Sequence, residues 1–138
     1  MLPSGLPEHI EDNADLARFL TQSSHFTTLL VKPAAFMPSS KSAETSISRH
    51  GPAPLERLWQ LGQTATGERP LYGAAIFKAA AARSVTLQVV ADEPPPRHAV
   101  IRGWPSSPAD PGLHKARCKE LAAVLASAAG APLLRQVD

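Results

Sequence analysis

Cysteine is nearly absent: Cys118 is the single one among 138 residues. No intrachain disulfide can form, which fits a reducing compartment. No apolar run approaches the roughly 20 residues of a membrane span. The opening residues, MLPSGLPEHIEDNADLARFL, hold neither a basic stretch nor a long apolar one, so they do not read as a signal peptide. These absences point to a cytoplasmic protein with no membrane association. Aromatic residues are few, at four Phe, two Trp and one Tyr. Much of the apolar content is alanine, which buries little surface per residue. The expected core is modest, with Phe19, Phe36, Trp59, Phe77 and Trp104 as its larger pieces.

Several chemistries lose their signatures too. There is no G-x-S-x-G nucleophile elbow and no phosphate-binding G-x-x-x-x-G-K-[ST] loop. The five histidines, His9, His25, His50, His98 and His114, are far apart in sequence, and structural zinc sites use paired ligands at short spacing. No metal and no cofactor is expected. The His-x-Thr/Ser pairs of two-histidine phosphoesterases are absent, because His50 leads to Gly-Pro and His98 to Ala-Val. Lys and Arg are scattered among acids at a net charge of +2. Nucleic-acid binders concentrate them on one face, so a nucleic-acid partner is not expected.

What is plentiful is proline: 14 residues, roughly double average usage. Proline fixes φ and lacks an amide donor, so it collects in loops and at element ends. The length fits one domain that buries roughly two-thirds of its unfolded surface. The reading is an α+β fold, with an antiparallel sheet of about 4–5 strands and two or three helices packed on it. Residues 1–11 form a flexible arm, 12–130 the domain, and 131–138 a tail or short strand.

Within the domain, Asp12 or Asn13 can cap a helix over 13–21, whose Leu16, Phe19 and Leu20 share one face. Phe26 to Val31 favours an extended chain. Residues 33–38, bracketed by Pro33 and Pro38, make a short edge strand or a loop. Glu44 to His50 reads as a strand. Pro54 opens a helix that Gly62 or Gly67 stops. Strands follow at 71–77, 85–90 and 97–104, with one helical turn in KAAAARS between the first two. Such short links require antiparallel pairing. Asp110 and Pro111 start a final helix that ends at Gly130, with Cys118, Leu121, Val124, Leu125 and Ala128 as its apolar stripe.

Two dipeptides draw the eye, Arg49-His50 and Arg97-His98, each at a strand end beside a Gly/Pro segment. If those strands are neighbours, two imidazoles and two guanidiniums share a surface. His50 and His98 are then the candidate catalytic pair, since imidazoles divide acid and base roles near neutral pH. Arg49, Arg97, Arg102 and Lys32 are the candidate ligand-binding residues, guanidinium being suited to phosphate and carboxylate. The plainer reading makes these side chains loop caps and solvated charges. Arg49 beside Arg97 is repulsive unless an anion lies between them. Cys118, on the helix stripe, reads as a small core residue.

The segments K-P-A-A-F-M-P at 32–38, S-I-S-R-H-G at 46–51, L-Y-G at 71–73 and R-H-A-V-I-R-G-W-P at 97–105 resemble those of uncharacterised small bacterial proteins. Such proteins accompany defence or mobile-element gene clusters. The resemblance spans about residues 15–128 and implies an accessory role, with no catalytic residue to carry over. The leading expectation is therefore a module that docks on another protein, with the 33–38 edge accepting a partner strand. The rival is a small enzyme or sensor for a phosphate-containing or nucleotide ligand, held by the His/Arg site.

Overall fold

The computed structural model describes residues 2–50, 54–106 and 111–136. A six-stranded, wholly antiparallel sheet forms the middle layer, in the order β4-β5-β2-β1-β3-β6. The strands are β1 (Asp15–Leu20), β2 (Thr45–Arg49), β3 (Gly73–Lys78), β4 (Gln88–Ala91), β5 (His98–Arg102) and β6 (Leu133–Leu134). Three helices accompany it: α1 (Leu55–Thr66), α2 (Ala79–Arg83) and α3 (Pro111–Ala129). No helix among the described residues is long and apolar enough to cross a membrane.

The largest departure from the sequence reading is residues 13–21, which are the central strand β1 and not a helix. Leu16 and Leu20 enter one core, while Ala17 and Phe19 enter the core on the opposite face. A strand buried on both faces loses its apolar-polar alternation, and a short apolar run then mimics helical spacing. The acids that suggested a helix start serve elsewhere. Asp12 takes a hydrogen bond from Arg83 at 2.6 Å, and Asp15 pairs with Lys78 at 2.6 Å.

Of the two readings of 33–38, edge strand or loop, the structure takes the second. Pro33–Phe36 is a 3₁₀ turn with Ala35 and Phe36 fully inside the larger core, so it is no sheet edge. The Thr45 hydroxyl holds it by donating to the Phe36 carbonyl at 2.8 Å. The edges are β4 and β6 instead.

The remaining elements lie close to the expected positions. β3, β4 and β5 are each trimmed by up to three residues at an end. α3 begins at Pro111, but its proposed cap Asp110 lies outside the described residues, as do Gly51 and Pro52. Its buried stripe is Cys118, Ala122, Leu125 and Ala126, whereas Val124 and Ala128 face outward. Alanine at two of these places lets the helix approach the sheet closely. Gly67 ends α1 with φ +61°, and Gly62 faces the sheet instead. A Cβ on Gly62 would lie 2.8 Å from Leu71 and 2.9 Å from Phe19.

The two faces are covered unequally. α2, α3 and the 3₁₀ turn pack with Leu16, Ile47, Phe77, Ala99 and Ile101 into the larger core. On the other face α1 packs through Leu58 against Ala17, Phe19 and Ala74, on β1 and β3. Ser46, Ser48 and His98 of β2 and β5 are left beside the C-terminal end of α1, where a cleft opens.

Candidate functional site

The cleft begins as a fault in the sheet. β1 and β2 are in register only at Leu16↔Arg49 and Ala17↔Ser48. Beyond that point the strands part, and Arg18 fills the wedge. Its Nε donates to the Ala35 carbonyl at 2.8 Å and its Nη1 to the Ser46 carbonyl at 2.9 Å. A guanidinium thus replaces the ladder bonds that a paired strand would supply, since buried backbone acceptors need partners.

The cleft has a volume of about 410 Å³, within the roughly 300–1,000 Å³ of small-molecule sites. Its polar lining is Arg18, Thr21, Ser39, Glu44, Ser46, Ser48, Thr64, Thr66, Arg69 and His98, and Phe19, Met37, Ile47 and Pro95 supply apolar surface. Arg69 is fixed at the end of α1, where its Nε donates to Thr66 O at 3.1 Å and its Nη2 to Ala65 O at 3.3 Å. A cation on the last carbonyls of a helix is well placed against the dipole. Desolvation, together with the neighbouring Arg69, lowers the pKa of Arg18 to about 10.

No carboxylate among the described residues forms an ion pair with Arg18 or Arg69. Glu44 stands on the cleft lining, but its carboxylate is taken by Arg102 at 3.0 Å. His98 faces Ser48 across β2 and β5. Its Nδ1 meets the Asp92 carbonyl at 2.9 Å and the Asp92 carboxylate at 3.4 Å. A carbonyl only accepts, so Nδ1 carries the hydrogen and, in the neutral ring, Nε2 is left as an acceptor.

The dipeptides singled out by sequence do meet, at the far end of β2 and β5. The Arg49 N–H donates to the Arg97 carbonyl at 2.8 Å, and the Arg97 Nη1 donates to the Arg49 carbonyl at 3.2 Å. Glu93 supplies an internal negative charge near Arg49. Its carboxylate accepts from Ser4 N at 2.9 Å and Ser4 Oγ at 2.7 Å. Burial opposes its ionisation, but the bonds from Ser4 and the Arg97 N–H, with the Arg49 charge, hold it below the ordinary carboxylate range. Arg49 is buried, and its Nη1 donates to the Pro7 carbonyl at 2.7 Å. Burial lowers the Arg49 pKa, against Glu93, which raises it, and with Arg97, which lowers it. Through these bonds and the buried Ile10, the first residues of the chain lie strapped across the sheet end.

His50 belongs to this structural cluster and does not line the cleft. Burial, and then the Arg97 charge, lowers its pKa, with Asp15 opposing. Its Nδ1 is buried without a hydrogen-bond partner. Lys32 is exposed and likewise outside the cleft lining. Arg102 braces Glu44 at the rim. Of the six candidates, only His98 lines the cleft. Arg18 and Arg69 were missed. The signal for Arg18 was a charge inside the apolar run LARFL, because arginine is seldom placed in such a run without a partner to meet.

Among the described residues no group of His, Cys, Asp and Glu has the arrangement of a metal site. No protein-family model, no curated protein and no solved structure matches this chain.

Proposed function

We propose that the protein binds a small dianion, a phosphate monoester or a dicarboxylate with a compact apolar body, in the cleft between β1, β2 and α1. The observation that carries this reading is the pair of guanidiniums, Arg18 and Arg69, on one cleft without a carboxylate ion-paired to either among the described residues. Gathering like charges around a partly dry space is costly, and an anionic ligand relieves that cost. Guanidinium groups bind carboxylate and phosphate through paired, charge-assisted hydrogen bonds. The hydroxyls of Thr21, Ser46 and Ser48 suit the remaining oxygens, those of Thr64 and Thr66 being donated to helix carbonyls, and His98 Nε2 suits a protonated one. Phe19, Met37 and Pro95 give the ligand body an apolar wall.

The role is one of binding or sensing. It accords with a small cytoplasmic accessory protein, the setting that the motif resemblance implies. The test is calorimetry at low salt with inorganic phosphate, succinate and a nucleoside monophosphate. At least one should bind, and Arg69→Ala should weaken it tenfold or more, a loss of about 1.4 kcal/mol. Raising ionic strength should weaken it further. Heat signals absent for all three at millimolar concentration would defeat the reading.

A further inference from the structure

The hairpin of residues 26–31, between a 3₁₀ turn at Ser23–His25 and the one at Pro33–Phe36, presents apolar side chains where loops are ordinarily polar. Phe26 and Val31 bridge its base, the Thr27 N–H donates to the Leu30 carbonyl at 2.8 Å, and Thr27 Oγ1 accepts from both Leu29 N and Leu30 N at 3.2 Å. Its tip is therefore a stiff turn built without the Gly, Asn or Asp that such turns favour. At that tip Leu29 is 80% exposed and Leu30 48%. The hairpin is fastened to the body. Val31 is buried and its N–H donates to the Gly130 carbonyl at 3.1 Å, while the Phe26 ring lies 5.7 Å from that of Tyr72. Tyr72 and Leu134 are themselves exposed, and Leu134 belongs to the edge strand β6. A rigid apolar tip thus stands beside the last strand of the sheet.

The described chain segments that build this edge carry no acid. No Asp or Glu occurs between Asp15 and Glu44, between Glu68 and Asp92, or between Glu120 and Asp138. The hairpin, the start of β3 and β6 all come from these three segments. Their charged side chains next to the patch are Lys32 and Arg135, the last joined to Tyr72 through its N–H at 2.8 Å, and His25 stands beside them. Arg18 lies near enough to His25 to lower its pKa, after the effect of burial.

We propose that this surface docks an extended acidic polypeptide segment, which lies along β6 and places large apolar side chains against Leu29, Leu30 and Tyr72. Edge strands accept added strands through main-chain hydrogen bonds, and neighbouring apolar positions set specificity. The absence of acids over three chain segments selects an acidic occupant, and steers it by complementary charge. A second copy of this chain would bring the same basic groups face to face. The proposal stands independently of the cleft ligand.

The experiment is selection of a randomised twelve-residue peptide library against the full-length protein, followed by fluorescence polarisation of the enriched peptides. Enriched sequences should be acidic with interspersed Leu, Ile, Val or aromatic residues. Leu29→Ser and Leu30→Ser, both at exposed positions, should each weaken binding tenfold or more while circular dichroism and melting stay unchanged. Moving from 0.05 to 0.5 M salt should also weaken it. The proposal is overturned if nothing is enriched, if basic peptides prevail, or if Leu29→Ser leaves affinity unchanged. Concentration-dependent dimerisation that Leu29→Ser abolishes would assign the surface to self-association and overturn it as well.

Discussion

Replacing Arg18 by Met tests whether the guanidinium holds the parted strands. Methionine keeps the length and apolar stem but removes both donors, leaving the Ala35 and Ser46 carbonyls without them. An unpaired buried acceptor costs about 1–3 kcal/mol. The two sites differ: the Ser46 bond is exposed and opens to water, whereas the Ala35 bond is partly buried. Ser46 therefore contributes at the low end. Removing a guanidinium from a desolvated site returns part of the loss. The net is a destabilisation of about 2 kcal/mol, or ~7 °C in melting temperature for a chain of this size. Urea denaturation should show the midpoint falling with the m-value unchanged. Arg18→Lys, with charge kept and the fork lost, should fall between the wild type and Met. A loss below about 0.5 kcal/mol for Met, the range of ordinary surface changes, would refute the role given to Arg18.

Three further outcomes follow from other parts of the molecule. Gly73→Ala places a Cβ 2.4 Å from the Leu133 carbonyl oxygen, so β6 must move away; a cost of about 1–3 kcal/mol and faster amide exchange at Ala74 and Leu134 are expected. Glu93 is held below its ordinary value of 4.5, so its contribution is complete above pH 4.5 and is lost as pH falls through the lower folded value. Glu93→Gln should cost about 1 kcal/mol at pH 7 and flatten stability against pH in that acid window, as read by denaturation at successive pH values. Cys118 is fully buried, and burial raises its pKa; a thiol reagent should modify it only at the rate of unfolding, and rapid labelling of the native protein would contradict its placement in the core.

The legible parts of the fold were those with local chemical markers. Pro111 and Gly130 bracket α3, the sequence T-S-I-S-R marks the strand Thr45–Arg49, and the alanine run makes one short helix. β1 was misread because burial on both faces removes the period that distinguishes strand from helix. Residues 33–38 stayed open between edge strand and loop because their prolines suit an edge strand and a 3₁₀ turn equally, and only the packing of Phe36 into the core decides. The meeting of Arg49 with Arg97 could be inferred from their places at strand ends. Their partner Glu93 could not, since it reaches them through a proline loop and a strap that begins at Ser4. The cleft was illegible for a related reason. Arg18 and Arg69 are 51 positions apart in the numbering and meet only because β1 parts from β2 beside the end of α1.

The most direct measurement is a two-dimensional amide NMR titration with inorganic phosphate at low salt. The account predicts saturable shifts confined to Arg18 to Thr21, Ser46 to Ser48, Thr64 to Arg69 and His98, which disappear in Arg69→Ala. Shifts spread over exposed lysines without saturation, or a response unchanged by Arg69→Ala, would contradict it.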